Sequence, residues 1–280
     1  MKPHHPTLTT PKGACDCHMH IVYPASEFPV AEGRSPYPEA SIEAYQTTAK
    51  RLGIERCIMT QTPRYGFDGR WVLRAIEAFG EGALGTVAVN ASIDQKELEH
   101  LTKKGIRGAA LHMLAGRWVD WEDLPAIAKK VMGADWHLHI QLDGRELESQ
   151  LGMLENLPNT IVIDHIGKFS EPTDVNHPGF KALQRLIDTG RCYVKLSAPY
   201  ESSWCDHPYG DHAGGLASAL IKQAPERMLW GSNWPHLGRP DPASKPDDAL
   251  LLETLLHWTD KTSTRNQILS DNPARLYKFG

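Results

Sequence analysis

The sequence predicts a single (β/α)8 barrel, and three observations carry that prediction. Short apolar segments alternate eight times with longer amphipathic ones. Those segments are apolar enough to be buried on both faces, as parallel strands covered by helices are. No G-x-G-x-x-G or P-loop run follows an early strand, which counts against an open doubly wound sheet.

The expected strands span 13–21, 55–61, 83–90, 107–113, 136–142, 160–166, 192–198 and 228–232. Helical spacing fills the gaps. Residues 41–52 carry apolar positions at helical intervals before Gly53, and 71–79 place Val72, Ala75, Ile76 and Phe79 together before Gly80. Asp94 is positioned to cap 95–104, which stops at Gly105, and Asp143-Gly144 introduces 145–155. The closing stretch, 266–279, reads as a helical hairpin packed on the barrel. No break in composition marks a second domain, so residues 1–12 are taken as a flexible tail and 13–280 as the one domain.

Composition narrows the function classes. In 280 residues, 30 Lys and Arg face 34 Asp and Glu, a net charge of −4, so no nucleic-acid surface is expected. No apolar run approaches the roughly 18 residues of a membrane span. The N-terminus shows no apolar signal core, and five cysteines are too few and too odd for a disulfide framework. A cytoplasmic enzyme or binding protein of small molecules is expected, with its oligomeric state open.

Barrel enzymes do their chemistry at the C-terminal ends of the strands. Strand one ends Asp16-Cys17-His18-Met19-His20, and alternation places His18 and His20 on one face with Asp16 below them. By the same alternation Cys15, Cys17 and Met19 face the helices. Strand six ends Asp164-His165-Ile166-Gly167-Lys168 and strand eight Gly231-Ser232-Asn233-Trp234-Pro235-His236. A lone strand-end histidine is ordinarily a hydrogen-bonded structural group. Histidines at the same end of strands one, six and eight call for a shared site, because burying imidazoles costs unless each ring is paired.

The His-x-His, the Asp-His-x-Gly-Lys and the Trp-Gly-Ser-Asn-Trp-Pro-His together resemble the amidohydrolase superfamily. The closest likeness is to its lactonase branch, which holds pyrone-dicarboxylate lactonases and sugar-acid lactone isomerases. The resemblance implies a distorted (β/α)8 amidohydrolase-like barrel and a small carboxylated lactone as substrate. It departs from the superfamily pattern at two places. Asn233 stands where most hydrolases of the superfamily have an aspartate that binds metal and activates water, and Gln141 stands where metal-binding members usually have a histidine. An amide takes up no proton near neutral pH and is a poor metal ligand beside a carboxylate. The lactonase branch includes members that work without a metal, so the resemblance implies metal-free catalysis; zinc or another divalent metal, if held, would sit on His18, His20 and His165.

The expected machinery follows. His18, His20 and His165 polarise a lactone carbonyl, and Asn233 completes the catalytic group. Lys168, Arg117 and Arg64, with Arg70 in reserve, clamp a substrate carboxylate. Gln141, Tyr200, Ser202 and His236 contact the rest of the substrate. The base is one of the histidines, Asp143 or His236. Ester hydrolysis is the first expectation and lactone isomerisation by intramolecular acyl migration the alternative, favoured if the 200–211 and 236–247 loops exclude water. A metal-dependent decarboxylase and a non-catalytic sugar-acid binder are the remaining readings.

Overall fold

A computed structural model of the chain describes residues 4–171, 173–202, 211–239 and 241–279. Its strands are β1 (Cys15–Met19), β2 (Arg56–Thr60), β3 (Ala83–Val87), β4 (Ile106–His112), β5 (His137–Gln141), β6 (Ile161–Ile163), β7 (Cys192–Ser197) and β8 (Met228–Gly231). All are parallel, and each pairs with the next in chain order, which is the barrel expected. Around them lie α1 (Ile42–Leu52), α2 (Arg70–Phe79), α3 (Gln95–Lys103), α4 (Leu124–Met132), α5 (Leu147–Glu155), α6 (Pro178–Asp188), α7 (Asp211–Gln223) and α8 (Asp248–Trp258). Caps act where the sequence places them: Ser41 accepts from the Ala44 amide, Asp94 from Glu97, and Gly53 takes a left-handed turn after α1. Among the described residues no helix is long and apolar enough to cross a membrane.

Alternation along the strands divides two cores. Outward residues such as Met59, Val87, Ile140, Leu196 and Trp230 pack with the helices. Inward residues Ile58, Leu84, Val162, Tyr193 and Leu229 fill the lower barrel with Tyr277. Cys15 and Cys17 belong to that inner set, which corrects their expected helix-facing position. The reason is a register shift in β1 between Asp16 and Met19, a bulge that spends one extra residue against β2. Asp16 consequently faces outward to Tyr45 of α1, while His18 and His20 still reach the interior.

The bulge also explains how the cylinder closes. Gly231 approaches β1 so tightly that a Cβ there would lie 2.8 Å from the His18 Cβ. Above it the Asn233 amide donates to the His18 carbonyl and the His20 amide to the Trp234 carbonyl, both at 2.8 Å. Below, the Asp16 carboxylate substitutes for a ladder. It accepts from the Ser232 amide at 2.9 Å, the Ser232 hydroxyl, the Tyr45 hydroxyl at 3.1 Å and the His18 amide at 3.1 Å.

The chain's end differs from the expected hairpin. α9 (Thr262–Asn266), a π turn over Gln267–Asp271 and α10 (Asn272–Tyr277) form one uninterrupted helical run. It delivers Tyr277 to the lower mouth, where its ring stacks on His139 and meets His137 edge-on. The segment from His4 to Lys12, expected to be a loose tail, makes specific contacts. Thr7 bonds Glu253 of α8, Thr10 bonds the end of α1, and Leu8 is buried.

Asp16→Asn tests the closure. The substitution leaves one acceptor oxygen for four donors and should destabilise the fold by about 2 kcal/mol or more, a Tm loss of several degrees. Burial raises the Asp16 carboxyl to about 6 against the pull of its hydrogen bonds. A raised native value means its contribution is largest below the unfolded value near pH 4 and falls as pH rises through 6. The gap between wild type and variant, followed by denaturant titration, should therefore narrow from pH 4 to pH 7.

Candidate active site

The upper ends of the strands surround a concave pocket lined by six of the candidate residues, His18, His20, Gln141, His165, Lys168 and Asn233, and also by His112, Trp118, His139, Asp164 and Glu201. His18 is central. Its ring lies 4.9 Å from His20 and 4.7 Å from His165, centroid to centroid. The loops that present these groups are strained. Of eight non-glycine residues with positive φ among those described, six lie after β6, β7 and β8: His165, Ile166, Lys168, Ala198, Asn233 and His236. Such conformations cost of order 1–3 kcal/mol each and collect where geometry matters more than stability.

Beneath the histidines lies a group that the sequence reading left aside. Lys195, fully buried on β7, places Nζ 3.1 Å from Asp164 Oδ1 and 3.0 Å from His18 Nδ1. Burial alone would raise the Asp164 carboxyl, yet the Lys195 ammonium holds it well below the usual carboxylate range. Asp164 Oδ1 stands farther from that nitrogen, at 3.5 Å, and the nearer ammonium only donates, so the Nδ1 that faces it carries a lone pair. Burial first, then the Lys195 charge, keeps His18 neutral by lowering its pKa. A neutral ring with a bare Nδ1 bears its proton on Nε2. His18 is thus a donor toward the pocket.

His20 has the opposite tautomer. Its Nδ1 lies 2.7 Å from the Thr60 carbonyl, an acceptor, so the proton is on Nδ1 and Nε2 is bare. Burial, followed by the neighbouring His18, pushes its pKa down to about 3. His165 pairs Nδ1 with the Ser197 hydroxyl at 2.9 Å, and its pKa is driven well down by burial and His18. The pocket therefore holds neutral imidazoles, one donor beside one base.

Several expected contacts fall elsewhere. Arg117 pairs with Asp120 on an exposed loop, Arg70 at the start of α2 pairs with Asp68, and Arg64 lies over the Tyr37 ring with its guanidinium on the Ser35 carbonyl. None lines the pocket, because each charge finds a local partner in water. Among the described lining residues Lys168 is the one lysine or arginine, and it is paired with Glu201. Gly238 leaves room for Glu201, since a Cβ there would approach its carboxylate to 2.6 Å. Asp143 is bound by Arg145 and Ser170 outside the pocket, so it is no base for this site. Ser202 bonds the His165 carbonyl, and Tyr200 and His236 bond each other behind Asn233, so none of the three lines the pocket. Cys205 and most of the 200–211 loop lie outside the described residues.

Superfamily members often use a divalent metal, and the residues here do not suit one. An imidazole that ligates through Nε2 presents its Nδ1–H to an acceptor, as His20 does to Thr60, whereas the nearest group to His18 Nδ1 is an ammonium, with Asp164 Oδ1 farther off at 3.5 Å. Asn233 and Gln141 add only neutral amides.

Comparison with known proteins agrees with this architecture. The family model described as amidohydrolase matches residues 15–279. The chain is 34% identical over 277 residues to D-galactarolactone isomerase of Agrobacterium fabrum, covering 98% of this chain and 94% of that one. It is 34% identical over 276 residues to 4-sulfomuconolactone hydrolase of Rhizobium radiobacter, covering 97% and 92%. A crystal structure from Agrobacterium tumefaciens without ligand superposes with a TM-score of 0.90 at 33% identity, covering 98% of this chain and 99% of that one.

Lys195→Met should cost about 3–5 kcal/mol, since it strands the Asp164 carboxylate in the interior. Pairing it with Asp164→Leu should recover most of that loss in a thermal melt. Arg64→Ala and Arg117→Ala should leave KM within about twofold of wild type; a rise of tenfold would return them to the substrate.

Proposed function

The chain belongs to the amidohydrolase family, and from that premise we propose that it is a lactone-acting enzyme whose step is acyl transfer at the ring ester. The favoured outcome is migration of the ring to a second hydroxyl of the same molecule. Hydrolysis is the second reading, favoured by the hydrolase among its relatives. The observation that carries the proposal is the opposed setting of two rings, His18 Nδ1 against the Lys195 ammonium and His20 Nδ1 against the Thr60 carbonyl, which implies opposed tautomers.

The steps balance without an added reagent. His20 Nε2 takes the proton of the attacking hydroxyl as its oxygen bonds the carbonyl carbon. His18 Nε2–H, with His165 beside it, donates to the oxyanion that forms. Collapse restores the carbonyl and expels the ring oxygen, which recovers the proton from His20. With water as nucleophile the same groups open the ring to a hydroxy acid.

Two features support migration over hydrolysis. His20, held at about 3, is a weak base, and Asn233 supplies no carboxylate to assist it. A hydroxyl tethered to the ester needs less activation than water, because effective molarities of well-placed groups reach about 10⁵ M or more. The substrate is read from the mouth. Lys168 can bind one carboxylate, and Glu201 beside it suits hydroxyl donors, which fits a sugar-acid lactone better than a dicarboxylate.

An NMR time course with sugar-acid and pyrone lactones tests this directly. A new lactone should appear without acid release; steady formation of the open hydroxy acid selects hydrolysis, and an unchanged panel refutes both. His20→Gln should lower kcat by about 10²–10⁴-fold and His18→Asn by about 10²–10³-fold. The low His20 value moves the acid limb downward, so kcat/KM should stay level from pH 8 to about 5. An inflection near 6.5 would point to an ordinary histidine instead. Dialysis against a chelator should leave the rate unchanged.

A further inference from the structure

Behind the pocket runs a second line of buried polar groups that the proposed reaction does not use. Asn233 Nδ2 lies 2.9 Å from the Tyr200 hydroxyl, which lies 2.8 Å from His236 Nδ1. His236 Nε2 lies 3.1 Å from Asp248 Oδ1, and Arg51 of α1 stands 3.7 Å from the other Asp248 oxygen. The four residues come from the ends of β7, β8 and α8, and all are buried. From its other end, Asn233 presents Oδ1 3.3 Å from His20 Nε2.

We infer that Tyr200, His236 and Asp248 are positioning residues that fix which way round the Asn233 amide sits against the base. The direction propagates from the charged end. The Asp248 carboxylate only accepts, so His236 gives it Nε2–H and keeps a bare Nδ1. That nitrogen takes the Tyr200 proton. The phenol oxygen, its proton spent, then needs a donor, and among the described residues the NH2 of Asn233 supplies one at 2.9 Å. Burial raises the Tyr200 pKa, which keeps the phenol protonated for this task. Oδ1 is left facing His20.

This orientation matters because the amide has two unlike ends. With Oδ1 forward, the His20 lone pair stays free for the substrate proton, and the imidazolium formed in the reaction finds an acceptor. With NH2 forward, an amide N–H would occupy the lone pair and disable the base. The inference rests on the reading of His20 as base. It also gives Tyr200 and His236 a role beyond their expected contact with substrate.

Kinetics with D-galactarolactone as probe, together with ring ¹⁵N spectra of His20, test it. Tyr200→Phe should lower kcat about tenfold or more with KM within about twofold. It should also shift the Nε2 resonance toward that of a hydrogen-bonded nitrogen. His236→Leu should act alike, and His236→Asn, whose amide oxygen stands near the lost Nδ1, should recover most of the activity. On an Asn233→Asp background Tyr200→Phe should have little further effect, since a carboxylate has no N–H to misdirect. Equal losses on both backgrounds, or an unmoved Nε2 signal in Tyr200→Phe, would overturn the relay. A shifted signal with unchanged kcat would keep the relay and remove His20 as base, as would an active His20→Gln. Where the probe is not turned over, the spectra alone decide.

Discussion

The ammonium of Lys195, buried between Asp164 and His18, is the interaction on which the site depends. A lysine in a barrel interior is costly unless paired, and so is a carboxylate. Together they cancel, and the pair imposes a direction on everything above it. Since the ammonium can only donate, His18 must accept at Nδ1 and donate at Nε2. One ion pair thus converts a neutral, symmetric choice of tautomer into a fixed one. Removing the charge would release that choice as well as destabilise the strand that carries it.

The second constraint is closure. β1 and β8 meet without a regular ladder, and the bulge in β1 turns Asp16 outward to take the place of the missing backbone bonds. The same bulge lets His18 and His20 enter the pocket above an apolar plug of Cys15, Cys17 and Tyr277. Fold and site share this one irregular residue. The strained turns after β6 and β8 complete the arrangement, since they carry His165, Lys168 and Asn233, which line the pocket.

The architecture was legible almost throughout, because a parallel strand under helices announces itself by an unbroken apolar run and caps by their chemistry. All eight strands fall on the expected segments, with β4 starting one residue early. The His18, His20, His165 and Asn233 cluster was equally legible, since strand-end polarity marks the chemical face. What strict alternation hides is a bulge, so the inner and outer sides of β1 were exchanged below His18. Arginines were harder: a loop cation that finds its carboxylate three residues away, as Arg117 finds Asp120, looks the same in sequence as one aimed at substrate. Lys195 had a signal that went unread, a lone charge inside the apolar run Cys-Tyr-Val-Lys-Leu-Ser.

Charge balance ties these parts to the chemistry. Among the described residues, Lys195 is matched by Asp164 and Lys168 by Glu201, and the pocket imidazoles of His18 and His20 are neutral. Hydrolysis of a lactone at neutral pH ends with one more carboxylate than it began with, and a site that accelerates it gains from a cation in waiting. Ring migration begins and ends with the same charge. Its only separated charges are the oxyanion and the His20 imidazolium, which arise together a few ångströms apart and vanish together. A pocket whose fixed charges are already paired stabilises that transient pair through donors and acceptors alone. His18 facing the oxygen and Asn233 Oδ1 facing the imidazolium are those two groups, and each owes its direction to an ionic contact one or more residues further back.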